Sequence, residues 1–84
     1  MKKISIYTLD FCPYCDEAKS ILDSFNLEYE EVQVQKDSHL RILLREVTGS
    51  ETLPQIFIEG ELIGGCDDLK KLSIGDLYGL INVL

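Results

Sequence analysis

Apolar residues follow two rhythms along the chain, and the rhythms alternate. Ile4, Ile6 and Thr8 alternate with Ser5 and Tyr7, the period-two pattern of a strand from about Lys3 to Thr8. Leu9-Asp10-Phe11-Cys12 reads as a loop. Ala18, Ile21, Leu22 and Phe25 then recur at i, i+3, i+4 and i+7, one stripe of a helix. Pro13 starts it, because the N–H that proline lacks would be unpaired at the first helical position, and Asn26 is a suitable stop. Tyr29 to Val34 predicts a second strand with Val32 and Val34 on one face; a helix between two strands makes them parallel neighbours. Leu40, Leu43, Leu44 and Val47 repeat the helical spacing, with Asp37 or Ser38 as cap and Gly49 as stop. Leu53 to Ile58 predicts a third strand, with Pro54 confined to its start or to an edge. Glu59-Gly60 turns it tightly into Glu61-Leu62-Ile63, an antiparallel partner. Gly64-Gly65 breaks that strand, a short helix follows from about Asp67 to Leu72, and Leu77, Leu80, Ile81 and Leu84 stripe a last helix.

With 84 residues, 45% of them hydrophobic, the chain is expected to be one domain spanning residues 1–84, without repeats, linkers or low-complexity stretches. No apolar run approaches the ~18 residues of a membrane span. Met1-Lys2-Lys3 is a basic start with no apolar segment behind it, so a soluble cytoplasmic protein is expected. Fifteen acids against eight bases leave a net charge of −7, which disfavours nucleic acid and anionic membranes, both bound through Lys and Arg. Most of the acids read as a solvated face. Asp10, Asp16 and Glu17 around the first cysteines, and Asp67-Asp68 after the glycine pair, stand apart.

The three cysteines, Cys12, Cys15 and Cys66, are too few for a disulfide scaffold, and in a cytosolic setting the Cys-x-x-Cys spacing means redox chemistry or half a metal site. With the order β-α-β-α-β-β-α-α it predicts a thioredoxin-like α/β fold: a four-stranded mixed sheet with helices on both faces. Cys12 caps the first helix, where unpaired N–H groups and a partial positive charge lower a thiol's pKa below the ~8.5 of free cysteine. Cys15 lies one turn further in. The asymmetry makes Cys12 the exposed nucleophile and Cys15 the resolving thiol. Structural zinc needs two further ligands, and only Cys66 and His39 are soft candidates. Inert core cysteines fit poorly with the helix-start position, and a permanent disulfide fits poorly with a reducing compartment.

Tyr7-Thr8, Cys12-Pro13-Tyr14-Cys15, Thr52-Leu53-Pro54 and Gly64-Gly65-Cys66-Asp67-Asp68, in that order over essentially the whole chain, resemble the dithiol glutaredoxins, above all the small bacterial kind. The resemblance implies a cis Pro54 facing the Cys12 sulfur and glutathione as reducing co-substrate, its cysteine backbone pairing with Leu53 as an added strand. Gly64-Gly65 lets the backbone approach a ligand closely; the resemblance further implies that the N–H groups of Cys66 and Asp67 take the γ-glutamyl carboxylate, and that Asp68 takes its ammonium. Helix capping is the plainer role for the two aspartates; one can cap while the other binds. Tyr14 and Thr52 complete the expected ligand set, and Cys66 is expected semi-buried, binding through its backbone, with a regulatory thiol as the minor alternative.

One departure stands out. The family typically has Lys three residues before the first cysteine; this chain has Leu9. Arg41, at a basic family position, is the candidate for the glycyl carboxylate, with Lys19 weaker. The expected activity is glutathione-dependent reduction of protein disulfides and protein–glutathione mixed disulfides by a monomer without metal, with targets such as ribonucleotide reductase. The alternative is a dimeric carrier of a glutathione-ligated [2Fe–2S] cluster, against which Pro13 counts.

Overall fold

The computed structural model describes residues 2–81. Its elements are β1 (Ile4–Thr8), α1 (Pro13–Ser24), β2 (Tyr29–Gln33), α2 (His39–Thr48), β3 (Gln55–Ile58), β4 (Glu61–Gly64), α3 (Cys66–Lys70) and α4 (Ile74–Ile81). The strands form one sheet in the order β2-β1-β3-β4. β1 runs parallel to β2, with Ile4 opposite Tyr29, and antiparallel to β3, with Tyr7 opposite Gln55. β3 and β4 are antiparallel, joined through Glu59 and Gly60, both at positive φ, as a two-residue hairpin turn demands. This is the mixed sheet expected from the alternation of elements.

The period of two along β1 and β3 sends alternate side chains to opposite faces, and each face has its own core. Ile4, Ile6, Ile56 and Ile58 pack with Ala18 and Leu22 of α1, Leu69 of α3, and Leu77 and Ile81 of α4. On the other side Val34, Leu44 and Leu53 gather with Cys15, against which Tyr7, Leu9, Leu40 and Phe57 pack; the Tyr7 and Phe57 rings meet edge to face at 5.5 Å.

Local signals set the ends of the helices. Pro13 opens α1, and the turn after it leaves through Asn26 at φ +56. For α2 the cap is Ser38, whose hydroxyl accepts from the Arg41 N–H at 3.2 Å, and Gly49 at φ +71 ends the helix. The short helix begins one residue earlier than expected, at Cys66, and ends two earlier, at Lys70. In the last helix Leu77 and Ile81 are buried, whereas Leu80 is 37% exposed; Leu84 lies outside the described residues.

The largest difference from the sequence pattern is on α2. Its stripe is only partly covered: Leu44 is buried and Leu40 half-buried, but Leu43 is 56% and Val47 68% exposed. One helix covers that side of the sheet, so residues at the margin of its apolar face meet solvent. Truncation should therefore act unequally. Leu22→Ala is expected to cost about 2–5 kcal/mol of unfolding free energy, and Val47→Ala no more than about 0.5 kcal/mol, as read from denaturant midpoints. Equal losses would mean that both faces of the sheet are sealed alike.

Candidate active site

The end of β1 delivers the chain to Cys12 through Leu9, Asp10 and a fully exposed Phe11 at φ +55. Cys12 is the N-cap of α1, in an extended conformation, and its Sγ accepts the Cys15 N–H at 3.2 Å. One of the orphan donors of the helix start is thus satisfied by sulfur. Cys12 is half-exposed, while Cys15 is 1% exposed among core residues. Their Cα atoms are 5.2 Å apart, within the span of a disulfide. A partner can reach the first sulfur from solvent, and the second is approached through the first.

Opposite the pair stands the segment before β3. The Leu53-Pro54 bond is cis, as expected, and the Leu53 carbonyl oxygen lies 3.6 Å from Cys12 Sγ. A cavity of about 500 Å³ opens beside it, bounded by Tyr14, Thr52, Leu53, Pro54, Gly65, Cys66, Asp67 and Asp68, with Thr48, Ser50, Gln55 and the β4 residues Leu62, Ile63 and Gly64 completing the wall. A larger hollow of about 620 Å³, by Lys2, Asn26, Tyr29 and Tyr78, holds no thiol among the described residues. The smaller cavity is the one that shares Leu53 with the Cys12 sulfur.

The glutaredoxin family model matches residues 4–63. The chain belongs to the glutaredoxin family. It is 47% identical over 74 residues to glutaredoxin 1 of Rickettsia bellii, covering 83% of this chain and 76% of that one, and 40% identical over 73 residues to glutaredoxin 3 of Escherichia coli K12, covering 87% and 88%. Among solved structures, the solution structure of glutaredoxin from Brucella melitensis superposes with a TM-score of 0.82 at 37% identity, over 100% of this chain and 95% of that chain. A buckwheat glutaredoxin–glutathione complex superposes at 0.83 with 27% identity, over 95% and 76%. The thioredoxin-like fold is thereby that of the glutaredoxins.

Individual residues of this glutaredoxin depart from their expected places. Cys66 is buried, not semi-buried, at 4% exposure within the larger core. Burial, followed by the negative charge of Glu17, pushes its thiol pKa up. A regulatory thiol needs access and thiolate character; Cys66 has neither. Asp68 caps: its Oδ2 accepts the Gly65 N–H at 3.0 Å, leaving one carboxylate oxygen for a ligand, while Asp67 stays exposed. Gly64 at φ +123 admits no side chain, because a Cβ there would collide with the Asp68 carboxylate.

Arg41 is not part of the cavity wall. Its Nη2 donates to the Glu51 carbonyl at 2.8 Å, next to Thr52. Lys19 is committed elsewhere: its Nζ lies 3.0 Å from Glu31 and 3.6 Å from Asp16, and the bond to Glu31 raises its pKa. Leu9 packs against the smaller core instead of offering a cation. Sequence reasoning missed two features. Gln55 is buried against the cavity, its one signal being a lone amide at the head of the run Ile56-Phe57-Ile58. The second is a chain of contacts in which the buried Thr8 hydroxyl donates to Glu31 at 2.7 Å, beside Lys19; no local pattern marks it.

Among the described residues the hydrogen bond to the Cys12 sulfur comes from the backbone N–H of Cys15, and Lys19 is spent on Glu31 and Asp16. The pH dependence of Cys12 alkylation should give a pKa below the ~8.5 of a free thiol, and Leu9→Lys should lower it further, by less than about one unit. A wild-type value above 8.5 would contradict this account of the helix cap. A second expectation concerns Glu31, whose carboxyl is held below its ordinary pKa, first by the Thr8 hydroxyl and then by Lys19. Because its folded pKa is depressed, the stabilisation is present above the unfolded value and is lost as pH falls through the folded one. Glu31→Gln should flatten the acid limb of a stability–pH profile; an unchanged limb would remove Glu31 from the list of acid-sensitive groups.

Proposed function

We propose that the protein is a glutathione-dependent thiol–disulfide oxidoreductase that reduces protein disulfides and protein–glutathione mixed disulfides. The supporting observation is the half-exposed Cys12 sulfur, bonded to the Cys15 N–H and 3.6 Å from the Leu53 carbonyl at the mouth of the cavity. The buckwheat relative whose structure is a complex with glutathione shares this fold.

The Leu53 backbone pairs with the cysteine moiety of glutathione as an added strand, flanked by Tyr14, Thr52 and Pro54. Past Gly65, the first N–H groups of α3, on Cys66 and Asp67, have no partner within the helix and take the γ-glutamyl carboxylate. The second carboxylate oxygen of Asp68 takes the ammonium. Arg41 supplies charge toward the glycyl carboxylate with the donors that Glu51 leaves free.

Catalysis divides between the two sulfurs. The Cys12 thiolate attacks the glutathione sulfur of a mixed disulfide; that S–S bond breaks, the target thiol leaves as a thiolate and takes up a proton, and Cys12 is glutathionylated. A second glutathione thiolate attacks the same glutathione sulfur, releasing glutathione disulfide and the Cys12 thiolate. On a protein disulfide, Cys12 forms the mixed disulfide with the target. Cys15 then attacks the Cys12 sulfur and frees the target, and two glutathiones reduce the Cys12–Cys15 bond. The buried position of Cys15 suits a thiol whose one partner is its neighbour. Targets with neutral or basic surfaces, ribonucleotide reductase among the candidates, suit the net charge of −7. The protein acts as a monomer in the cytoplasm, and no observation favours the cluster-carrier alternative.

Cys15→Ser should retain deglutathionylation and lose reduction of protein disulfides in a glutathione-coupled assay, whereas Cys12→Ser should lose both. Loss of both activities in Cys15→Ser would refute the division of roles.

A further inference from the structure

Among the described residues two polar side chains are buried, Thr8 and Gln55. Thr8 has Glu31 as its partner. Gln55, 3% exposed, sits where an apolar residue would fill the space without a polar group to satisfy, and a buried amide is tolerated when its donors and acceptor are used. Its Nε2 donates to the Thr52 carbonyl at 2.9 Å.

That bond belongs to a series. Between α2 and β3 the Glu51 carbonyl receives Arg41 Nη2 at 2.8 Å, and the next carbonyl, Thr52, receives Gln55 Nε2 at 2.9 Å. The Thr52 N–H is held as well, by Ser50 Oγ at 3.2 Å. The following carbonyl, Leu53, is the one 3.6 Å from Cys12 Sγ. Gln55 itself does not move with the segment: it is the first residue of β3, opposite Tyr7 of β1, two strands in from one edge and one from the other. It ties a loop carbonyl to the middle of the sheet.

We propose that Gln55 is a positioning residue for glutathione. By holding the Thr52 carbonyl against β3, it sets the direction in which the Leu53 backbone faces the ligand, without touching the reacting sulfur. This inference rests on the oxidoreductase function proposed above and extends it. With the bond gone, Leu53 samples orientations that do not pair with the ligand, and the glutathionyl group of a mixed disulfide binds less well, by the fraction of time the pairing geometry is populated. Sulfur exchange within the bound complex proceeds as before, since Cys12 keeps its helix cap.

The test is steady-state deglutathionylation with the glutathionylated substrate varied at a fixed, saturating glutathione concentration, on wild type, Gln55→Met and Gln55→Glu. Gln55→Met keeps the length and removes the donor. It should raise the KM for the glutathionylated substrate about three- to tenfold, the effect of one lost hydrogen bond, with kcat within about twofold of wild type. Gln55→Glu keeps the shape and makes the donor conditional, because a protonated carboxyl can donate to the Thr52 carbonyl and a carboxylate repels it. Burial pushes such a carboxyl above the ordinary ~4.3. The ratio of its KM to that of wild type should therefore be small at about pH 5 and grow toward about pH 8. A packing role alone would give no such pH dependence.

A wild-type KM in Gln55→Met overturns the proposal. If that variant does not fold, a KM ratio for Gln55→Glu that is flat across the same pH range overturns it instead. Wild type without glutathione-dependent turnover would sink the oxidoreductase function and this role together, whereas normal turnover with unmoved KM values would sink the Gln55 role alone.

Discussion

The site depends on a hydrogen bond from the Cys15 amide to the sulfur of Cys12. It is available because α1 begins where it does. Pro13 occupies the first helical position, where no N–H is needed, and the first turn leaves its other amides unpaired for the cap to collect. Those amides carry the positive end of the peptide dipoles, so a negative sulfur at the cap is stabilised without any charged side chain. The helix is in turn held by Ala18 and Leu22, both fully buried against Ile4 and Ile6 of β1. The same packing that stabilises the larger core thus aims the first turn of α1 at the mouth of the cavity. In this chain the backbone contribution matters more than usual, since Leu9 faces the smaller core and Lys19 is taken by Glu31 and Asp16.

The second half of the site is a loop made rigid from outside. Thr48, Ser50 and Thr52 bond to one another across the turn after α2, Arg41 holds the Glu51 carbonyl, and Gln55 holds the Thr52 carbonyl. A segment tied at this many points loses little further entropy when an extended ligand pairs with it, which is how preorganisation turns weak backbone contacts into useful affinity. The acidic turn at Asp67-Asp68 works by a different division of labour. One Asp68 oxygen closes the start of α3 on the Gly65 amide, and Asp67 stays free at the surface. Capping leaves room for a ligand because a carboxylate has two oxygens and this turn has two aspartates.

Much of this was legible along the chain, because local structure obeys local rules. Alternation in β1, the four-residue stripe of α1, the proline at its start, the glycine after α2 and the Glu59-Gly60 turn each concern a few neighbouring residues. Each of these elements formed close to where its pattern lay. Cys-Pro-Tyr-Cys at a helix start carries its chemistry for the same reason: cap, dipole and spacing all sit within one turn. The less legible residues are those whose partners are distant. Cys66 reads as semi-buried because the glycines before it and the aspartates after it are polar or small. Its burial comes from the packing of α3 on α1 and the sheet. Lys19 reads as a free cation because nothing nearby in sequence predicts that Glu31 will pair with it, and nothing predicts that Arg41 will hold the Glu51 main-chain carbonyl.

The amino-acid sequence by itself determined the order and type of the elements, the placing of Cys12 at a helix start with Cys15 one turn on, and Leu9 rather than a lysine three residues before Cys12. All of these follow from interactions within one or two turns of chain. Tertiary structure decided how much of each apolar face is covered, so that the α2 stripe, regular in sequence, leaves Leu43 and Val47 in solvent. It also decided which charges are spent on one another, and which carbonyl, 41 residues away from Cys12, meets its sulfur. Periodicity states which side of an element is apolar; only the packing of that element against others states what that side touches.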